Sequence, residues 1–227
     1  MNAWTLDDYA QLIDHTNLHA DATEQDMDRL CAEAAEHHFR MVAINQTQVA
    51  YCAKRLAGTD VHVGAAIAFP LGQTSIAAKV FETRDALANG ATEIDYVVNL
   101  TQVRAHNWNY VSDEMSQIVA ACNEAGVPSK VIFENCYLTD DEKIELCRIA
   151  REVRPSFVKT STGFGTGGAT VADVKLMHEQ VAGEVLVKAA GGIRDASTFL
   201  AMVDAGARRI GTSAGVAIIT ELAERLG

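Results

Sequence analysis

The chain repeats one module: an amphipathic helix, a turn of small residues or glycine, and a short apolar strand. Residues 86–91 run in this way into Glu93-Ile94-Asp95-Tyr96-Val97-Val98-Asn99, residues 122–127 into Lys130-Val131-Ile132-Phe133-Glu134, and residues 203–207 into Arg208-Arg209-Ile210-Gly211. Glycine or asparagine after the last helical turn takes the left-handed cap conformation, which explains the recurring punctuation. Strands are predicted near residues 12–16, 41–45, 61–68, 93–99, 130–134, 156–160, 184–189 and 208–211. Strands that alternate with helices pair in parallel, because each helix carries the chain back to the start of the next strand. The pattern predicts a closed (β/α)8 barrel, one domain over residues 1–227, with short loops, since such barrels typically take about 250 residues. The alternative is an open doubly wound sheet. A dinucleotide binder of that kind carries G-x-G-x-x-G after its first strand, and here Asp14-His15-Thr16-Asn17-Leu18 stands in that place.

Helix starts fit the count. Thr139 and Glu142 form a capping-box pattern, and Thr23, Thr74, Thr170 and Asp195 read as N-caps. The longest stretch between strands, residues 100–129, reads as a polar turn around His106-Asn107-Trp108-Asn109 followed by a helix.

With 227 residues, 48% of them hydrophobic, the chain can bury a sizeable core. A formal net charge of −11, with no basic run longer than Arg208-Arg209, argues against a nucleic-acid partner, which needs clustered Lys and Arg. A small phosphorylated ligand held by backbone amides stays compatible with that charge. The five cysteines (31, 52, 122, 136 and 147) are odd in number and lack C-x-x-C spacing, and no signal-like segment stands near Met1. Reduced thiols in a cytoplasmic protein are therefore expected. No apolar run approaches the roughly 18 residues of a membrane span, so no membrane partner is expected.

Both faces of a strand in a parallel barrel are covered, so a charge inside one needs a reason. Asp95, Lys159 and Lys188 stand out, in the fourth, sixth and seventh predicted strands. Lys159 ends the apolar run Phe157-Val158-Lys159 just before a glycine-rich loop, where α/β folds place reacting groups. Two ammonium groups on neighbouring strands disfavour each other's charge, which leaves more of the neutral amine that carbonyl attack requires. Asp95 supplies the opposite charge and a proton-transfer group. The competing readings are a lysine stem lying over apolar surface with its head in water, or a structural ion network. Asp14 is a fourth candidate, either reacting or accepting hydrogen bonds from nearby amides, and Glu134 reads as a structural ion-pair partner.

Three late loops are rich in Gly, Ser and Thr: Thr162-Gly163 onward, Gly191-Gly192, and Gly211-Thr212-Ser213. Glycine lets backbone approach a ligand, and the loops after strands seven and eight commonly hold phosphate in such barrels. Seven histidines show no metal-binding spacing and read as surface or cap residues, with His37-His38 at a helix end, so no metal or other cofactor is expected.

Val158-Lys159-Thr160-Ser161-Thr162-Gly163-Phe164 and Val187-Lys188-Ala189-Ala190-Gly191-Gly192-Ile193-Arg194 resemble the signatures of deoxyribose-phosphate aldolases. So do residues 93–99, Phe69-Pro70-Leu71-Gly72, Ile13-Asp14-His15-Thr16 and Arg209-Ile210-Gly211-Thr212-Ser213, so the resemblance spans nearly the whole chain. It implies a (β/α)8 barrel that cleaves 2-deoxy-D-ribose 5-phosphate to acetaldehyde and D-glyceraldehyde 3-phosphate without a metal. Lys159 would then form the Schiff base, Lys188 and Asp95 would shuttle protons, and Asp14 would be a further active-site aspartate. Thr162, Gly163, Gly191, Gly192, Gly211 and Ser213 would hold substrate and phosphate. The chain departs from the family pattern at Asn17, His19, Gln46, Ala66, Ala68 and Ala214, and it ends at Leu226-Gly227 without the tyrosine-ending tail of some members. Those departures bear on phosphate affinity and acceptor choice. The rival readings are another imine-forming barrel aldolase with a different sugar or keto-acid phosphate, and a catalytically silent sugar-phosphate binder. The apolar face Ile118-Val119-Ala120-Ala121 reads as core, with an interface in a homo-oligomer as the alternative.

Overall fold

The computed structural model describes residues 4–226; Met1 and Gly227, on which the expectations about the two ends rest, lie outside them. The elements run α1 (Leu6–Ala10), β1 (Ile13–Asn17), α2 (Glu24–Glu36), β2 (Met41–Asn45), α3 (Val49–Arg55), β3 (His62–Ile67), α4 (Ile76–Ala88), β4 (Glu93–Val97), α5 (Leu100–Arg104) and α6 (Trp108–Ala125). They continue β5 (Ser129–Ile132), α7 (Asp140–Val153), β6 (Phe157–Lys159), α8 (Val171–Val181), β7 (Leu186–Ala190), α9 (Ala196–Asp204), β8 (Ala207–Thr212) and α10 (Gly215–Leu226). All eight strands pair in parallel with their sequence neighbours, and β8 closes on β1. The architecture is the (β/α)8 barrel that the repeated module predicts.

Local chemistry sets the element starts. Thr23 and Thr139 accept from the amides of Asp26 and Glu142 while those carboxylates bind back to the cap residues, so both are full capping boxes. Thr170 and Asp195 cap α8 and α9 as read. At α4 the cap is Ser75 and not Thr74: Ser75 Oγ accepts from Ala78 N at 3.2 Å. Two adjacent hydroxyls offer the same chemistry there, and the path of the loop decides between them. Gly90, Gly126 and Gly206 take positive φ as expected, whereas Asn89 stays at φ −85 and leaves the turn to Gly90. The stretch after β4 holds a short extra helix, α5, capped by Asn99. Its turn lies at residues 105–107, so Trp108 and Asn109 already belong to α6.

Strand parity then separates two interiors. Ile94 and Tyr96 of β4 join the apolar layer between strands and helices, where each buried aliphatic or aromatic side chain contributes about 1.5–3 kcal/mol. Glu93 and Asp95, one residue out of phase, face the barrel axis and its charged side chains. Ile118, Val119 and Ala121 of α6 are buried within the chain while Ala120 is exposed, in keeping with the core reading of that face. Among the described residues no helix is long and apolar enough to cross a membrane.

Candidate active site

Parallel pairing puts Lys159, the last residue of β6, directly beside Lys188 of β7. Asp95 of β4 reaches both across the axis: its Oδ2 accepts from Lys159 Nζ at 2.8 Å and from Lys188 Nζ at 2.7 Å. Asp14 of β1 lies 2.5 Å from Lys188 Nζ. The four polar residues picked out in the sequence therefore meet at one place. Asp14 does not serve neighbouring amides there; its other partner is Arg209, whose Nε donates at 2.8 Å.

Three charged residues that were not singled out in the sequence complete the cluster. Lys130 Nζ stands 2.6 Å from Asp95 Oδ1 and 2.5 Å from Glu93 Oε2, and Arg209 reaches Glu93 at 3.0 Å. Each is a charge in an apolar strand run, the same signal that marked Asp95. They escaped notice because they sit near strand starts, where a charge ordinarily reaches water. His62, read as a surface residue, is part-buried with Nδ1 2.7 Å from Glu93, and His15, read the same way, is buried with Nε2 2.7 Å from Glu33.

Among the lysines, arginines and carboxylates of the axis, four cations (Lys130, Lys159, Lys188 and Arg209) face three carboxylates (Asp14, Glu93 and Asp95). One positive charge is in excess, and Lys159 is where it is most easily lost. Lys130 and Lys188 each touch two carboxylates, and arginine keeps its proton. Lys159 touches only Asp95, whose Oδ2 it shares with Lys188. Burial lowers the Lys159 pKa, Asp95 pulls it back up, and Lys188 lowers it further, which leaves it at about 8. Burial favours the neutral form of Asp95, but Lys130, Lys159 and Lys188 outweigh it and hold that carboxyl well below the usual range. Burial acts against the charge on Lys130 as well, and Asp95 and Glu93 overcome it, so the Lys130 pKa lies above the ordinary value.

Above Lys159 opens a cavity of about 280 Å³. Thr162, Gly163, Gly191, Gly192, Gly211 and Ser213 all line it, as does Lys159, whereas Lys188, Asp95 and Asp14 lie beneath. His19, read as a departure from the family pattern, lines it too, and Thr16, Phe164 and Arg194 line it without having been named as site residues. Single polar or aromatic residues in loops carry no periodic signal. The walls are held backbone to backbone: Ala169 N donates to the carbonyls of Ala190 and Gly191, both at 3.0 Å. A Cβ on Gly168 would stand 2.2 Å from the Gly191 oxygen, so that approach requires glycine.

Two further carboxylates act from outside the axis. Glu134, read as an ion-pair partner, pairs with no cation among the described residues; it accepts from the amide and hydroxyl of Thr162. Glu114 of α6 and Lys79 of α4 form a fully buried pair behind β4 at 2.7 Å. Lys79 Nζ also donates to Val97 O at 2.7 Å, and Glu114 Oε2 accepts from Asn99 N at 2.9 Å. The pair therefore fastens the end of the strand that carries Asp95.

The chain as a whole has known relatives. The family model described as DeoC/LacD family aldolase matches residues 9–220. The chain belongs to that aldolase family. A deoxyribose-phosphate aldolase of Lactobacillus acidophilus is 63% identical, over 98% of this chain and 94% of its own length. One from Bacteroides thetaiotaomicron is 52% identical, over 95% of this chain and 90% of its own. The solved tetrameric deoxyribose phosphate aldolase of Aeropyrum pernix superimposes with a TM-score of 0.91 at 32% identity, covering 97% of this chain and 93% of that one. The aldolase is thus similar to these enzymes over nearly its whole length.

Proposed function

We propose that this aldolase, one domain over residues 1–227, reversibly cleaves 2-deoxy-D-ribose 5-phosphate to acetaldehyde and D-glyceraldehyde 3-phosphate through an imine on Lys159. The observation that carries the reading is the one lysine of the charged cluster that both lines the cavity and has a lowered pKa, at about 8. Its neutral amine attacks the C1 aldehyde, and loss of water gives a protonated imine. The imine withdraws electrons, so the C2–C3 bond breaks as the C3 hydroxyl gives up its proton, leaving an enamine and glyceraldehyde 3-phosphate. Protonation of the enamine and hydrolysis release acetaldehyde and restore Lys159. Lys188 and Asp95 serve as the proton shuttle through water, and Asp14 holds Lys188 in place. Gly191, Gly192, Gly211 and Ser213 line the part of the cavity suited to the phosphate, and Arg194 lines the same cavity. No metal or other cofactor enters this reading. A cytoplasmic location and assembly into a homo-oligomer belong to it, the latter supported by the tetrameric Aeropyrum relative. The charge of −11 supports a small-molecule rather than a nucleic-acid partner.

Trapping tests it directly. Incubation with acetaldehyde followed by borohydride is expected to leave a two-carbon adduct on Lys159, mapped by mass spectrometry; an unmodified Lys159 would sink the proposal. The pH dependence is a second check. The reactive form is the neutral amine, so kcat/KM is expected to climb about tenfold per pH unit below 8 and to level off above it. Lys188 depresses the Lys159 pKa, so Lys188→Leu is expected to move that break to higher pH as well as to slow turnover. A break that stays in place or moves to lower pH would contradict the assigned coupling.

A further inference from the structure

We infer that Glu134 is a positioning residue for the aldol reaction: its carboxylate orients the Thr162 hydroxyl so that the cavity beside Lys159 is offered a hydrogen-bond acceptor, which favours substrates that bring a hydroxyl donor there. The inference rests on the imine-aldolase reading above. Glu134 is 1% exposed, and its φ of +56 is a left-handed backbone state that a residue with a Cβ rarely adopts. Neighbouring contacts hold it in that state. Phe133 N donates to Lys159 O and Asn135 N to Thr160 O, both at 2.9 Å, so the ends of β5 and β6 are fastened together on either side of Glu134.

Its carboxylate meets Thr162 twice. Oε1 accepts the Thr162 amide at 3.1 Å, and Oε2 lies against Thr162 Oγ1. Burial raises the Glu134 pKa above its ordinary value, and both Thr162 bonds and the Lys159 charge act against that rise. With Glu134 ionised, the carboxylate has no hydrogen to give and the Thr162 hydroxyl is the donor. Of the two lone pairs on Oγ1, one takes the Phe164 amide at 3.0 Å. The other is left for a ligand, and Thr162 lines the cavity. The loop is also seated on this carboxylate: a Cβ at Gly165 would come within 3.2 Å of Glu134 Oε1 and 2.8 Å of Cys136 Sγ.

Glu134→Gln separates orientation from packing. The amide keeps the size of the side chain and can accept the Thr162 N–H, but its NH2 then donates to Oγ1. The threonine hydrogen is turned toward the cavity, where a ligand meets a donor in place of an acceptor. The experiment compares wild type, Glu134→Gln, Thr162→Val and the double variant. Two readouts are taken: kcat/KM for 2-deoxy-D-ribose 5-phosphate, and borohydride trapping of acetaldehyde, which carries no hydroxyl. Each single variant is expected to lose at least about tenfold in kcat/KM, because a polar group of the bound substrate is left without its partner. Trapping on Lys159 is expected to fall by less than about threefold, and the double variant to match the worse single within about threefold, since both act through one hydroxyl. Equal losses in both assays, losses that multiply in the double variant, or a Glu134→Gln enzyme indistinguishable from wild type would overturn the inference. A wild-type enzyme that traps no acetaldehyde would instead overturn the parent reading, so the two failures are told apart.

Discussion

Lys159→Leu is expected to lower kcat/KM for 2-deoxy-D-ribose 5-phosphate by about 10⁴-fold or more while leaving the folded state intact. Without the amine no imine forms, and the rest of the cavity has no electron sink to stabilise a carbanion. Lys188 cannot take over, since it is fully buried and does not line the cavity. Stability is the more discriminating half of the expectation. Removing Lys159 leaves three cations to three carboxylates on the axis, and Asp95 keeps both Lys130 and Lys188. No carboxylate is orphaned, and the one ammonium in excess is gone. The variant is therefore expected to melt at or above the wild-type temperature. Cleavage within about tenfold of wild type would refute the role of Lys159, and a Tm lowered by more than about 5 °C would refute the charge balance drawn for the axis.

The largest effect on stability is expected away from the cavity, at Glu114→Leu. Glu114 and Lys79 are both fully buried, so removing one leaves the other charged without a partner in an apolar layer. Breaking such a pair costs about 3–5 kcal/mol, on the order of 10 °C in Tm for a chain of this size. The Lys79→Met/Glu114→Leu double variant is expected to recover part of that loss, because no unpaired charge remains although Val97 O and Asn99 N lose these partners. Urea unfolding of the two singles and the double decides it: a double variant no more stable than Glu114→Leu would show that the pair is not the source of the loss. The same variants report on catalysis, since the pair binds Val97 O and Asn99 N two and four residues beyond Asp95.

Much of this molecule was legible along the chain, for a local reason. A capping box needs only residues three apart, and barrel strands announce themselves as apolar runs between glycine turns; hence Thr139, Gly126 and all eight strands were readable. Lys159, Lys188 and Asp95 were visible because a charge within an apolar run violates the pattern around it. Where two neighbours offered the same chemistry, as at Thr74 and Ser75, the order of residues was not enough. Lys130, Glu93 and Arg209 were missed for a related reason. Strand parity tells which face a residue takes, but whether a charge near a strand start meets water or the axis depends on how far the closed sheet extends past it. The same closure decides which lysine loses its proton. The sequence alone determined that two lysines and an aspartate share the interior of a parallel barrel. The tertiary structure decided that Lys159 has half of one carboxylate while Lys188 and Lys130 touch two each, because those contacts join strands far apart in the chain and exist only once β8 has paired with β1.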